Sequence, residues 1–203
     1  GEVLRGELAH WRERLAGAPA ALDLPTDRPR PPVRRHRGRH ALIRYPETLA
    51  AALDTLARAE GATLFMALLA GVSALLQRYS GQDDLLLGTP VANRTRLEIE
   101  GLVGFFVNTL VLRSDLSGDP SVRGLLARMR ESALDAYAHQ ELPFEKLVEE
   151  LEPVRDLSRS PLFQVMLVLQ EGQGEALELP GIFFEEDPVR TYPAGEVGGQ
   201  VVG

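Results

Sequence analysis

Leu4, Leu8, Trp11 and Leu15 recur at i, i+4, i+7 and i+11, a single apolar stripe that predicts a helix over 3–16, ended by Gly17 and Pro19. Pro25, Pro29, Pro31 and Pro32 then predict an extended connector over 18–37, because a proline drives the residue before it out of the helical region. RHALIRY at 39–45 suits a strand. Pro46 opens a helix to about Glu60 with Leu49, Leu53 and Leu56 on one face, and Gly61 stops it. Thr63 is placed to cap a helix from Leu64 to Tyr79 whose apolar residues run nearly all round, the pattern of an element buried on most sides. DLLLGTPV at 84–91 reads as a buried strand broken by Gly88, and Phe105 to Arg113 reads as a second strand. Pro120 starts a helix to about Tyr137 with Val122, Leu125, Leu126, Met129 and Ala133 as its buried stripe. Pro143 starts another, with Phe144, Leu147, Val148 and Leu151 on one face and Pro153 as its stop. The continuous apolar run LFQVMLVL at 162–169 has the look of a central strand. A weaker strand is expected over 176–185, and residues 187–203 lack periodicity and are expected to form an unpacked tail.

The order of elements is a mixed α/β pattern. No internal repeat is visible. GxGxxG, GxxxxGK[ST] and GxSxG are all missing from the sequence, so neither a nucleotide cradle nor a nucleophile elbow is indicated. Composition narrows the picture further. The 203 residues carry 22 Lys+Arg against 29 Asp+Glu, a net charge of −7, and this acidic balance lacks the footprint of a nucleic-acid binder. There is no cysteine, which removes disulfides, thiolate metal sites and a cysteine nucleophile. The longest apolar run, between Leu64 and Leu76, falls short of the roughly 20 residues needed to span a bilayer. The chain starts at Gly1 with early acidic residues and no signal peptide, and it reads as cytoplasmic, with no membrane partner.

Few residues suggest chemistry. His10, His36, His40 and His139 include one i,i+4 pair, His36 and His40, set in an arginine- and proline-rich stretch, so a metal site is not expected. Arg28, Arg30, Arg34, Arg35 and Arg37 form either a strip for an acidic partner or a solvated connector. Glu141 and Glu145 form an i,i+4 carboxylate pair that suits acid–base work, and equally suits the positive end of a helix. His139, just ahead of them, is either a base or a turn-holding residue. Asn108 is the odd residue of FFVNTLVL. Its amide either ties off a strand irregularity or faces a polar cavity, because a buried amide without partners costs about 1–3 kcal/mol. Arg113, closing the same strand, is expected to reach solvent.

Three segments, GLVGFFVNTLVLR (101–113), HQELPFEKLVEEL (139–151) and RDLSRSPLFQVML (155–167), closely resemble successive core motifs of the condensation domains of nonribosomal peptide synthetases. DLPTDRPRPPV (23–33) and LLQRYSGQDDLLLGTPVANR (75–94) are similar to the same family, so the resemblance covers about residues 3–170. It implies a chloramphenicol acetyltransferase-like α/β subdomain, an α+β two-layer lobe, with residues 1–186 forming the second lobe of a condensation domain and its lead-in. It implies amide-bond formation between donor and acceptor thioesters on phosphopantetheine arms of partner carrier proteins, with no cofactor bound directly. The implied partners are peptidyl and aminoacyl carrier proteins, adjacent synthetase domains and a missing N-terminal condensation subdomain. The family's HHxxxDG motif does not occur here, so no catalytic residue is assigned within 1–203, and the sequence is expected to be truncated at both ends. Residue by residue, Asn108 and Arg113 match tunnel positions. His139, Gln140, Pro143, Phe144 and Glu145 match the second motif; Arg155, Ser158, Arg159, Pro161 and Phe163 match the third. The latter two groups are expected to be mainly structural. Alternatives are a catalytically dead condensation-like module that binds partner proteins, and a coenzyme A-type acyltransferase of the same fold.

Overall fold

The computed structural model describes residues 1–33, 38, 41, 43–94, 97–151 and 156–170. Its framework is an antiparallel pair, β1 (Asp84–Val91) and β2 (Asn108–Asp115), registered from Asp84 opposite Asp115 to Val91 opposite Asn108. Helices α1 (Glu2–Leu15), α2 (Glu47–Ala59) and α3 (Leu64–Ser80) precede it. A short α4 (Leu97–Glu100) lies between the strands, and α5 (Val122–Ala138) and α6 (Phe144–Leu151) follow. α3 and α5 pack together, and α5 also packs on β2. The core is built from Leu69, Leu85, Leu87, Leu110, Leu112 and Met129, all essentially without solvent contact.

Local signals explain most boundaries. The Thr63 hydroxyl accepts the Met66 amide at 3.3 Å and starts α3, while Gly81 ends it at φ +71°, a conformation that costs glycine little. Ser121, one residue after Pro120, caps α5 by accepting the Gly124 amide at 3.2 Å. α2 begins after Pro46 as expected, yet Leu49 is exposed and only Ala57 is buried. Val122 is likewise exposed, since it lies in the first turn of α5, before the buried stripe of Leu125, Leu126, Met129 and Ala133.

Four sequence expectations are corrected. The described residues of 39–45, namely 41 and 43–45, form no strand. Strand β2 starts at Asn108, not Phe105, and reaches Asp115, because Phe105 is exposed and the ladder begins only where Asn108 meets Val91. Gly88 does not break β1: it pairs with Val111 in mid-strand. The run 162–169 is not central. It lies along β1 through one parallel bridge, Gly88 with Met166, supported by Gly88 N–H to Val165 C=O and Leu167 N–H to Gly88 C=O, each 2.9 Å. β1 is therefore the middle of this arrangement, flanked by β2 and the 162–169 segment. The sequence pattern also did not disclose α4. The expected strand over 176–185, the tail 187–203, Pro153, Arg155, His36, His40, Arg34, Arg35 and Arg37 lie outside the described residues.

Candidate functional site

Asn108 sits where β2 begins and is 7% exposed. Its Nδ2 donates to the carbonyls of Gln140 and Leu142, both at 2.8 Å, and its Oδ1 accepts the amides of Thr109 at 2.9 Å and Phe144 at 3.1 Å. Both donors and both lone pairs are used, the full capacity of a carboxamide. The amide thus staples the turn between α5 and α6 to the first residue of β2. Pro143 lies inside this turn and its carbonyl accepts the amides of Lys146 and Leu147, opening α6.

The neighbouring motif residues complete the staple. Gln140 donates from Nε2 to the Tyr137 carbonyl at 2.9 Å. The Phe144 ring meets the Phe163 ring at 5.5 Å between centroids, bringing α6 against the 162–169 segment. Phe163 covers Gly88 so closely that a Cβ on Gly88 would overlap the ring, which is why glycine stands in mid-strand. Pro161 accepts the Phe163 amide at 2.8 Å in a tight turn with Leu162 at φ +67°. Asp156 accepts the Ser158 amide at 2.8 Å and faces the Arg159 Nε at 3.6 Å, and hydrogen bonding from Ser158 holds its carboxyl below the usual aspartate range. Glu141 and Glu145 are both exposed.

Arg113 does not simply reach solvent. Its Nε and Nη2 grip both oxygens of Asp84 at 3.0 and 2.7 Å, and its Nη1 donates at 2.9 Å to the carbonyls of Arg14 and Ala16. The guanidinium therefore crosslinks β1 and β2 and takes up carbonyls left over at the end of α1. The hydrogen bond to Asp84 holds its pKa above the ordinary arginine value. An open groove of about 910 Å³ runs past this point, lined among others by Arg113, Asp84, Arg14, Asp135 and Arg128. Its cations are matched: Arg14 lies 3.2 Å from Asp135, and Arg128 lies 3.7 Å from Asp115.

Sequence reasoning did not foresee His139 stacking on His10, with ring centroids 3.5 Å apart and planes at 15°. The Glu7 carboxylate holds His139 Nδ1 at 3.1 Å, Asp135 Oδ2 lies 3.4 Å from His10 Nε2, and Trp11 Nε1 donates to the His139 carbonyl at 3.2 Å. His139 is thus the landing point of α1 on the end of α5. His10, Asp135 and His139 bring nitrogen and oxygen atoms within 4.8 Å of one another, but the two rings are stacked, so their in-plane lone pairs lie in separate, nearly parallel planes. The partners of His139 lie more than 120 residues away in sequence, so no local signal could have found them. Gln82 and Gln164 were also missed. Gln164 Oε1 accepts the Leu22 amide at 2.5 Å, while Gln82 accepts from Asp23 at 2.7 Å and donates to the Ala21 carbonyl at 3.0 Å, pinning the connector across β1. Among the described residues no single helix is long and apolar enough to cross a membrane.

The family model described as "Condensation domain" matches residues 2–190. A linear gramicidin synthase of Brevibacillus parabrevis is 60% identical over 182 residues, covering 90% of this chain and 4% of that protein. Phosphinothricin tripeptide synthetase PhsB of Streptomyces viridochromogenes is 54% identical over 189 residues, covering 93% of this chain and 16% of that protein. The chain thus spans only a small part of these relatives. Among solved structures, the X-domain from teicoplanin biosynthesis superposes with a TM-score of 0.80 at 32% identity, over 93% of this chain and 42% of that one. A four-domain nonribosomal peptide synthetase bound to AMP and glycine superposes with a TM-score of 0.81 at 30% identity, over 91% of this chain and 15% of that one.

Proposed function

The chain belongs to the condensation-domain family, and from that premise we propose that it serves as one lobe of an amide-bond-forming acyltransferase in a nonribosomal peptide synthetase. The acceptor amine nitrogen attacks the donor thioester carbonyl, the C–N bond forms, the C–S bond breaks, and the donor phosphopantetheine leaves as a thiol. Residues 1–186 form the second lobe with its lead-in, and the phosphopantetheine arms belong to partner carrier proteins. The proton-handling histidine of HHxxxDG is supplied by a first lobe outside this sequence.

One observation carries the reading: three separate motif segments meet at one point. Asn108 of the first motif bonds the backbone of Gln140, Leu142 and Phe144 in the second, and Phe144 meets Phe163 of the third. The match to the family's first motif is what makes Asn108 and Arg113 candidates for the substrate tunnel. Asn108 acts there by holding the 140–144 turn in place, and Arg113 by fixing the sheet to α1. His139, Gln140, Pro143, Glu145, Ser158, Arg159 and Pro161 keep the lobe's loops in shape.

The test is an assay with a donor-loaded and an acceptor-loaded carrier protein. A synthetase carrying this lobe together with an HHxxxDG lobe should form the amide, and residues 1–203 alone should not. Product from the isolated chain would refute the division of labour, and no product from the two-lobed enzyme would refute the function. A second reading has one observation in its favour. The X-domain from teicoplanin biosynthesis, 32% identical, has also been solved in a complex with OxyB. On that reading the chain belongs to a module that recruits a partner protein without catalysis. An intact HHxxxDG encoded in the first lobe favours condensation, and a degenerate one favours recruitment.

A further inference from the structure

The connection from Val91 to Asn108 is long for a hairpin, whose loops usually have about 2–5 residues. Asn93 turns the chain out of β1 at φ +50°, a left-handed conformation that asparagine tolerates better than most residues. This delivers Arg94 to the rest of the connection. Arg94 Nη1 donates to the Ile99 carbonyl at 2.5 Å, an oxygen that also accepts the Leu102 amide at 3.2 Å at the end of α4. The same guanidinium lies over the Phe106 ring, 4.4 Å from its centroid. On that ring Gly104 packs so closely that an added Cβ would sit 3.1 Å from Phe106. Leu102, Val103 and Phe105 are exposed. Two residues beyond Phe106 comes Asn108.

We propose that Arg94 is the positioning residue of the 97–107 segment. One planar cation ties the end of α4 to the last aromatic before β2, and so sets where the exposed apolar side chains stand relative to the Asn108 staple. The inference rests on the reading above in one respect: it makes 97–107 part of the chamber wall next to the reacting groups. The geometry has a chemical reason to require arginine. A guanidinium can donate in its plane to a carbonyl while its face covers a ring, whereas an ammonium has no such division.

Hydrogen exchange measured on the purified chain tests the positioning without any assay of activity. Arg94→Ala should speed exchange in 97–107 by about tenfold, the loss expected of a cation–π contact together with a charge-assisted hydrogen bond. Exchange in α3 and α5 should not change. Phe106→Leu, which removes only the ring, should speed it less. The double substitution should match Arg94→Ala, because both act through one contact, and Arg94→Lys should fall between wild type and Arg94→Ala. Unchanged exchange in Arg94→Ala, or additive effects in the double variant, would overturn the proposal. The same substitutions in the two-lobed synthetase should lower amide formation in the order of their exchange rates. Faster exchange with undiminished turnover would leave the positioning role standing and overturn the chamber-wall reading.

Discussion

The Asn108 carboxamide donates to the Leu142 carbonyl across 2.8 Å and 34 positions of sequence, and with that bond the start of β2 and the turn before α6 become one unit. The remaining three hydrogen bonds of the same amide go to Gln140, Thr109 and Phe144. Replacing it strands backbone groups on both sides.

Asn108→Ala should therefore destabilise the chain by about 2–3 kcal/mol, since buried partners lose their bonds without gaining water. Asn108→Asp is isosteric but a carboxylate cannot donate to the Gln140 and Leu142 carbonyls, so it should be no better tolerated at neutral pH. Urea unfolding at constant m-value reads both. A loss under about 0.5 kcal/mol for each would show that the staple contributes little.

Gly88→Ala puts a methyl group where the Phe163 ring lies, so the ring or β1 must shift. Overpacking of this kind costs about 1–3 kcal/mol. Phe163→Leu should recover part of that loss in the double variant, although alone it destabilises. Strictly additive losses in thermal unfolding would mean the two positions do not compete for the same space.

Arg113→Lys keeps the charge and loses the fork that holds Asp84 and two carbonyls of the α1 end at once. A loss of about 1–3 kcal/mol is expected, with Asp84→Asn non-additive to it. A double-variant cycle gives the coupling directly, and zero coupling would contradict the bidentate pair.

Asp115 accepts hydrogen bonds from Ser117 and faces Arg128, which together hold its carboxyl below the usual aspartate range. A depressed carboxylate pKa adds stability above the unfolded-state value and loses it as pH falls through the folded-state value. Asp115→Asn should accordingly be less stable than wild type at neutral pH and converge with it in acid. Parallel stability curves between neutral pH and acid would exclude the linkage. The effect should be small, because Asp115 is largely exposed and Arg128 partly so.

What the sequence determined by itself follows from short-range physics. α3 announced its cap at Thr63, and β1 and α5 carried apolar spacings legible from the sequence alone. The three motif strings that reveal the family are also strictly local. The tertiary structure alone decided the rest. Gly88 reads as an interruption until the Phe163 ring, 75 positions later, fills its missing side chain's space. Phe105 looks like strand until the register with β1 begins at Asn108 and leaves it exposed. Asn108, Arg113 and His139 each looked like loose ends because a polar side chain's role is set by its partners. Here those partners come from other elements: the α5–α6 turn for Asn108, Asp84 and the end of α1 for Arg113, and α1 for His139. Burial and periodicity are properties of a segment, but a satisfied hydrogen bond is a property of two, and only folding brings the second one into reach.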